Sequence, residues 1–479
     1  MNSLKKVVLA GLPALLLATS CVDSLDEYNV DPKNPSSAPA TSFFSSAQRS
    51  LARTISSSSV NLNPFRFYVQ YWTETTYTDE SNYDIETRVI NRSFWNAMYR
   101  DDLRNLKEAR DLTNANASLD AKVKANQLAA IEVMEVYSWS VLVDTYGNVP
   151  YTAALDVLNP QPKYDDAATI YADITKRLDA AIAAFDPSAD GFGNADIMYQ
   201  GDVSHWVKFA NSLKLRLALT LSDVDKPKAT TMATQAMGKV FTSNDDDAQI
   251  TFQGSFPNTN PVWEDLIQSG RKDFVGTVTF IDDALVPLND PRLPVYFKPN
   301  KNGEFTGGDV GLINDYASFS APGAKQEEPT LPGVLLSYSE VEFLLAEAVE
   351  RGLITGSTAA SHYKAGIVAS IEDNGGSAAD AEKYYSQPDV TYATAKGDYR
   401  EKIGFQKWIA LYDQPVESWK EFRRLDSPAL EPGEDALSDI PLRFTYPTTE
   451  KNLNGVNNTA AATAIGGDKV STKIFWDKK

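Results

Sequence analysis

Residues 338–376 read YSEVEFLLAEAVERGLITGSTAASHYKAGIVASIEDNGG, and this stretch decides the fold. Apolar residues recur every three or four positions in two successive stripes: Val341, Leu344, Leu345 and Ala348, then Tyr363, Ile367 and Ile371. Ser339-x-x-Glu342 has the pattern of a capping box, and Gly352 is typical of a helix end. The stretch therefore predicts two neighbouring antiparallel helices, at about 338–351 and 357–373.

The same pairing recurs along the chain, because three further couples of helical pattern stand close together in sequence. They are 120–145 with 165–186, 203–223 with 226–241, and 398–413 with 415–425. Four couples of helices with short links predict a mainly α-helical repeat scaffold. No clean 34-residue sequence period accompanies them, so the repeat is one of geometry.

Three parts of the chain depart from helical periodicity. Residues 60–100 are rich in Tyr and Trp, and residues 242–336 are rich in Gly, Pro, Asn and aromatics. A segment as long as 242–336 between helices is typical of a functional insertion. We expect a few short β-strands in this loop-rich insertion, for example around Val275–Ile281. Residues 437–479 are expected to form a loop-like tail.

Composition narrows the class of function. Hydrophobic residues make up 43% of the 479 residues and charged residues 23%, as in ordinary globular proteins. The net charge of 45 − 64 = −19 disfavours nucleic acid as a partner and membrane binding through a basic patch. The single cysteine precludes an internal disulfide. His205 and His362 have no cysteine or second histidine near them in sequence, so neither indicates a metal site.

The N-terminus has the pattern of an export signal. Two lysines precede an apolar run, Val7 to Ala18, that is too short to span a bilayer. Leu17-Ala18-Thr19-Ser20-Cys21 resembles a bacterial lipobox, whose cysteine is acylated and becomes the first residue of the mature chain. We therefore predict a signal peptide at 1–20, a leader at 21–40 that is lipidated on Cys21, and one domain at 41–479. A plain secretory peptide with an incidental cysteine is the alternative.

Several sequence blocks stand in order along nearly the whole mature chain. They are Tyr28–Pro35 (YNVDPKNP), Asp144–Tyr151 (DTYGNVPY), Lys208–Leu217 (KFANSLKLRL), Asp290–Leu293 (DPRL), Tyr338–Glu347 (YSEVEFLLAE), Gln406–Tyr412 (QKWIALY), Arg423-Arg424, and Gly466–Asp468 with Lys473–Asp477. In this order they resemble the SusD/RagB family of nutrient-binding outer-membrane lipoproteins, in its SusD-like branch.

The resemblance implies a mainly α-helical fold with four tetratricopeptide-like helix pairs. It implies a lipid-anchored protein exposed on the cell surface at the outer membrane, with a SusC-type TonB-dependent transporter as its partner. It also implies nutrient binding without catalysis. Because the matching blocks belong to the scaffold, they do not identify the ligand.

Aromatic residues of the two aperiodic regions are the candidates for ligand binding, because flat rings stack on sugar faces at little cost in entropy. In the first region we select Trp72, Tyr77 and Tyr83, and in the insertion Trp263, Arg271 and Phe274. Each ring could instead belong to the core, which is the commoner place for an aromatic side chain. The tryptophans at helical spacing are assigned to the core: Trp95, Trp139, Trp206, Trp408 and Trp419.

No cofactor or metal is predicted. Asp245-Asp246-Asp247 could hold a structural calcium ion but lacks the spacing of a calcium loop, so a solvated turn is the expectation. The preferred function is capture of an oligosaccharide, from the usual role of the family. A peptide ligand, an outer-membrane assembly scaffold and a glycoside hydrolase are the alternatives. A hydrolase would need two carboxyl groups roughly 5–10 Å apart across a cleft, and no motif indicates such a pair.

Overall fold

The computed structural model describes residues 38–478. From Ala40 the elements are α1 (Ala40–Ser56), α2 (Phe65–Tyr68), β1 (Trp72–Glu74), α3 (Ile90–Asn96), a π-helical segment (Ala97–Leu103), α4 (Arg104–Ala115), α5 (Ala121–Tyr146), β2 (Val149–Pro150), β3 (Tyr164–Asp165), α6 (Ala167–Ala184), a 3-10 turn (Gly193–Ala195), α7 (Val203–Leu221) and α8 (Lys226–Ala236).

The insertion then contains a 3-10 turn (Asn244–Asp246), β4 (Ala248–Ile250), α9 (Pro261–Trp263), a π-helical segment (Glu264–Gln268), β5 (Phe274–Gly276), α10 (Val278–Phe280), a π-helical segment (Ile281–Leu285), α11 (Leu293–Tyr296), a 3-10 turn (Ala324–Glu327) and β6 (Gly333–Leu336). After it come α12 (Tyr338–Glu350), α13 (Ala359–Asp373), α14 (Ala378–Tyr385), α15 (Tyr399–Ala410), α16 (Pro415–Leu425), α17 (Thr448–Leu453) and α18 (Gly455–Ala464).

The four predicted helix pairs are α5 with α6, α7 with α8, α12 with α13, and α15 with α16, and the members of each pair pack against one another. Local signals place their ends. The carboxylate of Asp166 accepts a hydrogen bond from the Thr169 N–H and caps α6, and Gly147, with φ at +82°, ends α5. The mainly α-helical fold is therefore confirmed.

α12 begins at Tyr338, as the predicted range of about 338–351 has it, but its cap differs from the predicted one. The N-cap is Ser337, whose hydroxyl oxygen accepts from the Glu340 N–H at 3.3 Å, so the predicted box at Ser339 and Glu342 is wrong. Ser339 lies in the first turn and donates to the Gly366 carbonyl of α13 at 2.7 Å. The Ser339 hydroxyl therefore links α12 to α13 and does not cap α12.

Three two-stranded antiparallel sheets join parts of the chain that lack helical periodicity. β2 pairs with β3, β4 with β6, and β1 with β5. The expectation of β structure at Val275–Ile281 holds only for its first residues, because the Thr277 hydroxyl accepts from the Phe280 N–H and starts a helical turn.

The C-terminal tail is not a loop throughout, since it contains α17 and α18. The sequence of α18, GVNNTAAATA, has few large apolar residues and so shows no stripe. The chain then returns to the core, where the Trp476 indole N–H donates to Asp144 at 2.8 Å. All five tryptophans that were assigned to the core are buried.

Within the described range no helix is both long and apolar enough to cross a membrane. Cys21, the predicted signal peptide and residues 21–37 of the predicted leader lie outside the described residues. The lipid anchor therefore stays a prediction.

A network of buried charges lies between the helix pairs. We call it the buried ion network, and its members are Asp144, Arg216, Glu340, Glu347, Lys407, Glu417, Lys420, Glu421 and Arg424. Arg216 of α7 reaches Glu340 of α12 at 2.6 Å, and Lys420 of α16 reaches Asp144 of α5 at 3.4 Å. Each of the four pairs thus contributes at least one charge.

We expect Arg216→Met to destabilise the protein strongly, because it leaves the buried Glu340 carboxylate without its closest cation. Loss of one partner of a buried ion pair costs about 3–5 kcal/mol. Arg100→Met is the matched control, since Arg100 pairs with Asp101 on the surface and its side chain is 70% exposed. Its cost should stay below about 1 kcal/mol. Urea and thermal unfolding of both variants measure the difference, and equal unfolding midpoints would contradict the prediction.

Candidate functional site

The pairing of β1 with β5 brings the two aperiodic regions of the chain together. Trp72 lies opposite Gly276, and Glu74 lies opposite Phe274. The contact continues past the strands, where the Thr75 N–H donates to the Asp273 carbonyl at 2.8 Å and its hydroxyl donates to the Lys272 carbonyl at 2.7 Å. The segment that follows β1 and the segment that precedes β5 therefore share one rim.

This rim borders a surface groove made of two adjoining depressions of about 220 Å³ each. The two depressions share Val60, Arg88, Arg271 and Asp273. The remaining lining residues are Ser58, Ser59, Asn61, Glu74, Thr76, Tyr77, Asp265, Ser269 and Phe274. We call this site the Tyr77 groove. It combines one exposed ring with hydroxyl, amide, carboxylate and guanidinium groups, which can form hydrogen bonds with a polar ligand.

Tyr77 is the exposed aromatic side chain of the groove, at 67% exposure. Its φ of +57° lies in the left-handed region, which is unusual for a residue with a side chain. Gln70, Tyr83 and Val89 share this conformation, so the strain is concentrated in the segment that carries β1. Strained backbone of this kind costs about 1–3 kcal/mol per residue and clusters at binding sites.

Charged side chains on the groove wall are held in fixed positions. The Arg271 guanidinium pairs with Asp273, and the Arg88 guanidinium pairs with the buried carboxylate of Glu80. Ser58 donates to Asp265 at 2.8 Å. The fixed guanidinium groups can donate to ligand oxygens and the carboxylates can accept from ligand hydroxyls.

A pair of buried carboxyl groups forms the floor beside Arg88. Glu74 accepts hydrogen bonds from the Ser81 N–H at 3.0 Å and the Ser81 hydroxyl at 2.9 Å, and its carboxyl group lies within hydrogen-bonding reach of Glu80. Burial, together with the neighbouring Glu80 carboxylate, raises the pKa of Glu74 to about 9. Glu74 is therefore protonated at neutral pH and adds no negative charge to the groove.

Three of the six candidate ligand residues are core residues, and the prediction that their rings face solvent is wrong. Trp72 is 1% exposed, stacks on Phe274 with ring centroids 5.5 Å apart, and donates its indole N–H to the Tyr412 hydroxyl at 2.7 Å. Tyr83 is buried against Tyr68. Phe274 is also buried and borders the groove only from below. The short strands β1 and β5 are buried along their length, so their large side chains fill the core.

The other three candidates are placed differently. Tyr77 and Arg271 meet at the groove, and their role as ligand contacts stays a prediction. Trp263 is half-buried at the end of α9 and is not among the described residues that line the groove. Sequence reasoning missed Arg88, Glu74 and Asp273, because nothing in the sequence indicated that β1 pairs with β5.

Two residues of Asp245-Asp246-Asp247 have internal partners, so the expectation of a solvated turn is wrong for them. Asp246 is buried and accepts from the Lys208 ammonium at 2.7 Å. Asp247 is buried and accepts from the Tyr338 N–H at 2.6 Å. Asp245 alone is exposed.

The fold agrees with the comparison of the chain with known proteins. A family model, SusD-like_2, described as "Starch-binding associating with outer membrane", matches residues 32–447. The chain belongs to the SusD-like family. Members of this family are nutrient-binding proteins associated with the outer membrane, and the resemblance noted from the sequence is confirmed. No curated protein sequence matches the chain.

Solved structures of SusD homologues share the fold over almost the whole chain. A chitin-binding protein is 27% identical, with a TM-score of 0.80 over 92% of this chain and 100% of its own. A SusD homolog from Parabacteroides distasonis is 25% identical, with a TM-score of 0.79 over 92% of this chain and 98% of its own. A chitin-binding SusD homolog from Flavobacterium johnsoniae is 24% identical, with a TM-score of 0.78 over 91% of this chain and 98% of its own.

Glu74→Gln should flatten the dependence of stability on pH in this SusD-like protein. The pKa of Glu74 is about 9 in the folded state and ordinarily 4.5. The contribution of Glu74 to the free energy of unfolding is therefore full below about pH 4.5 and is lost as pH rises toward 9. Glutamine cannot ionise, so the variant should gain on the wild type by at most about 1.4 kcal/mol per pH unit over this range. Urea unfolding from pH 5 to pH 9 measures the gain.

Glu434→Gln is the matched control, since it makes the same chemical change on an exposed side chain. Parallel pH profiles of the wild type and Glu74→Gln would show that the Glu74 carboxyl group is not held protonated.

Proposed function

We propose that this SusD-like protein captures an oligosaccharide in the Tyr77 groove and delivers it to a SusC-type TonB-dependent transporter of the outer membrane. The observation that carries the proposal is the exposed ring of Tyr77 beside the guanidinium group of Arg271. An aromatic face binds the C–H face of a sugar, and flanking charged groups bind its hydroxyls. The family description and the chitin-binding names of two similar structures support a glycan over a peptide.

The arrangement of the carboxyl groups supports capture rather than cleavage. Glu74 is buried, accepts two hydrogen bonds from Ser81, and lies within hydrogen-bonding reach of Glu80. A glycoside hydrolase instead needs two accessible carboxyl groups about 5–10 Å apart, on either side of the bond that breaks. Asp273 is occupied by its ion pair with Arg271.

A shallow groove suits a protein that passes its ligand on. Such a site buries little of the ligand, so affinity should be modest and dissociation fast. The ligand can then transfer to the transporter rather than remain on the lipoprotein. The shape and the hydrogen-bonding groups of the groove determine which glycan is bound. The scaffold motifs do not encode these features.

Tyr77→Ala and Arg271→Ala should each weaken glycan binding about tenfold, which is roughly 1.4 kcal/mol. The first removes the stacking surface and the second removes charged donors at the rim. We would measure binding on an array of chitin and starch oligosaccharides and of peptides, followed by calorimetry with the best ligand. Phe256→Ala is the matched control, because Phe256 is 65% exposed on a loop outside the groove.

Unchanged glycan affinity in both groove variants would rule out this site. Binding of peptides alone would favour a peptide-capturing member of the family, and binding of neither class would favour an assembly scaffold. A reducing-sugar assay on the same samples should detect no release of sugar.

Cys21→Ala should abolish fatty-acid labelling and release the protein from the outer membrane into the soluble fraction. The cysteine thiol is the acylated group of a lipobox, and alanine cannot be acylated there. Metabolic labelling with a palmitate analogue and membrane fractionation measure the change. Continued labelling of the variant would refute the anchor.

A further inference from the structure

A second cavity, of about 230 Å³, lies between the insertion and the last two helix pairs. The insertion contributes Asp247 and Lys325, the end of α13 contributes Asp373, and the link from α15 to α16 contributes Asp413 and Gln414. We call it the Lys325 cavity. It shares no lining residue with the Tyr77 groove.

Acidic groups outnumber basic groups on the cavity wall. The Lys325 ammonium lies 3.3 Å from Asp413 and 3.7 Å from Asp373. Asp247 is buried, accepts a backbone hydrogen bond from Tyr338, and is in none of the ion pairs of the described residues. Burial, together with nearby carboxylates that include Asp373, raises the pKa of Asp247 well above its ordinary value. Asp247 therefore has no cationic partner among the described residues of the cavity, and a cation placed beside it would lower its pKa.

Two amide oxygens of the wall also lack donors. Gln414 is 7% exposed, its amide N–H donates to the Ser337 hydroxyl at 3.1 Å, and its Oε1 is buried without a partner. The Asn244 amide N–H donates to the Ala369 carbonyl at 3.0 Å, which fixes the orientation of the amide. Its Oδ1 is then a second buried acceptor without a partner. Buried acceptors are normally hydrogen-bonded, so these atoms indicate a missing donor.

We propose that the Lys325 cavity binds a small ligand through a primary ammonium group. An ammonium group has three N–H donors and no acceptor, which matches a wall of carboxylates and free amide oxygens. Leu331, Pro332 and Val334 form an apolar side of the cavity that can contact the carbon skeleton of the ligand.

An ammonium group fits this wall better than a metal ion does. The Lys325 ammonium, which lies near both Asp373 and Asp413, repels a doubly charged ion more strongly than a singly charged one. Over residues 38–478, no group of three or more His, Cys, Asp or Glu side chains is arranged to hold a metal. The amine can belong to an amino sugar or to an amino acid or peptide N-terminus, and both present the same group.

Calorimetry of the full chain carrying Tyr77→Ala, which removes the stacking ring of the Tyr77 groove, tests the proposal with four probes. Glucosamine and glycinamide carry a primary ammonium on a sugar and on an amino-acid skeleton, respectively. N-acetylglucosamine has the sugar skeleton without the charge, and CaCl₂ supplies a divalent cation alone. We expect heat of binding from one or both amines and none from the other two probes.

Asp247→Asn should lower the affinity for the amine at least tenfold. Asparagine keeps an oxygen that can accept from the Tyr338 N–H, so the change removes the ionisable carboxyl group and retains this hydrogen bond. Asp245→Asn is the matched control, because Asp245 is exposed two positions earlier and does not line the cavity. Asp413→Asn provides a second test if Asp247→Asn does not fold, and asparagine can still accept there from Gln326.

Four results would overturn the proposal. The first two are no binding of either amine and equal binding of glucosamine and N-acetylglucosamine. The third is binding of calcium that displaces the amine. The fourth is unchanged affinity for the amine in the folded aspartate variant. Loss of glycan binding in the Tyr77 groove variants would leave the amine result unaffected, so the two sites can fail separately.

Discussion

The buried ion network is the constraint on which the rest of the scaffold depends. Charges that are removed from water are costly unless each one finds its partner, so a packing of the helix pairs that leaves one of these charges unpaired is strongly disfavoured. Burial alone would raise the pKa of Glu421. The Arg424 and Lys407 cations instead hold that pKa well below its ordinary value. Apolar stripes alone would allow the pairs to slide or rotate, whereas Arg216 facing Glu340 fixes α7 against α12. Several of the sequence blocks shared with the SusD-like family contain members of this network, which explains why those blocks report on scaffold rather than on ligand.

On this scaffold, one short sheet places the Tyr77 groove. β1 and β5 are each three residues long, and their pairing is supported from below by the packing of Trp72, Phe274 and Tyr412. The large rings are used to anchor the sheet, and the loops that continue from it carry Tyr77 and Arg271 at the surface. A binding residue on a loop is precise only when the loop is held by rigid structure. The buried rings and the strained backbone around Tyr77 therefore act together to order the exposed face of the groove.

The sequence indicated the two regions that form the Tyr77 groove, but it did not separate buried rings from exposed ones. Trp72 and Tyr77 are alike in sequence, since both are aromatic and both stand among polar residues. Burial distinguishes them, and the burial of Trp72 depends on Phe274 and Tyr412, which lie far from it along the chain. Arg88 and Glu74 could not be predicted for the same reason, because they matter through the carboxyl pair under the rim. The same reason applies to the Lys325 cavity, whose wall comes from four separate segments.

The sequence by itself determined the helix pairs, most of their ends and the family of the chain, because helical periodicity and capping depend on residues within a few positions of each other. It also determined the acidic surface charge and the predicted lipobox at Cys21. Tertiary structure alone decided the pairing of β1 with β5, the burial of Trp72, Tyr83 and Phe274, and the surplus of acceptors around Lys325. These features arise from contacts between distant segments, where a side chain acquires its exposure and its pKa from neighbours that no local pattern encodes.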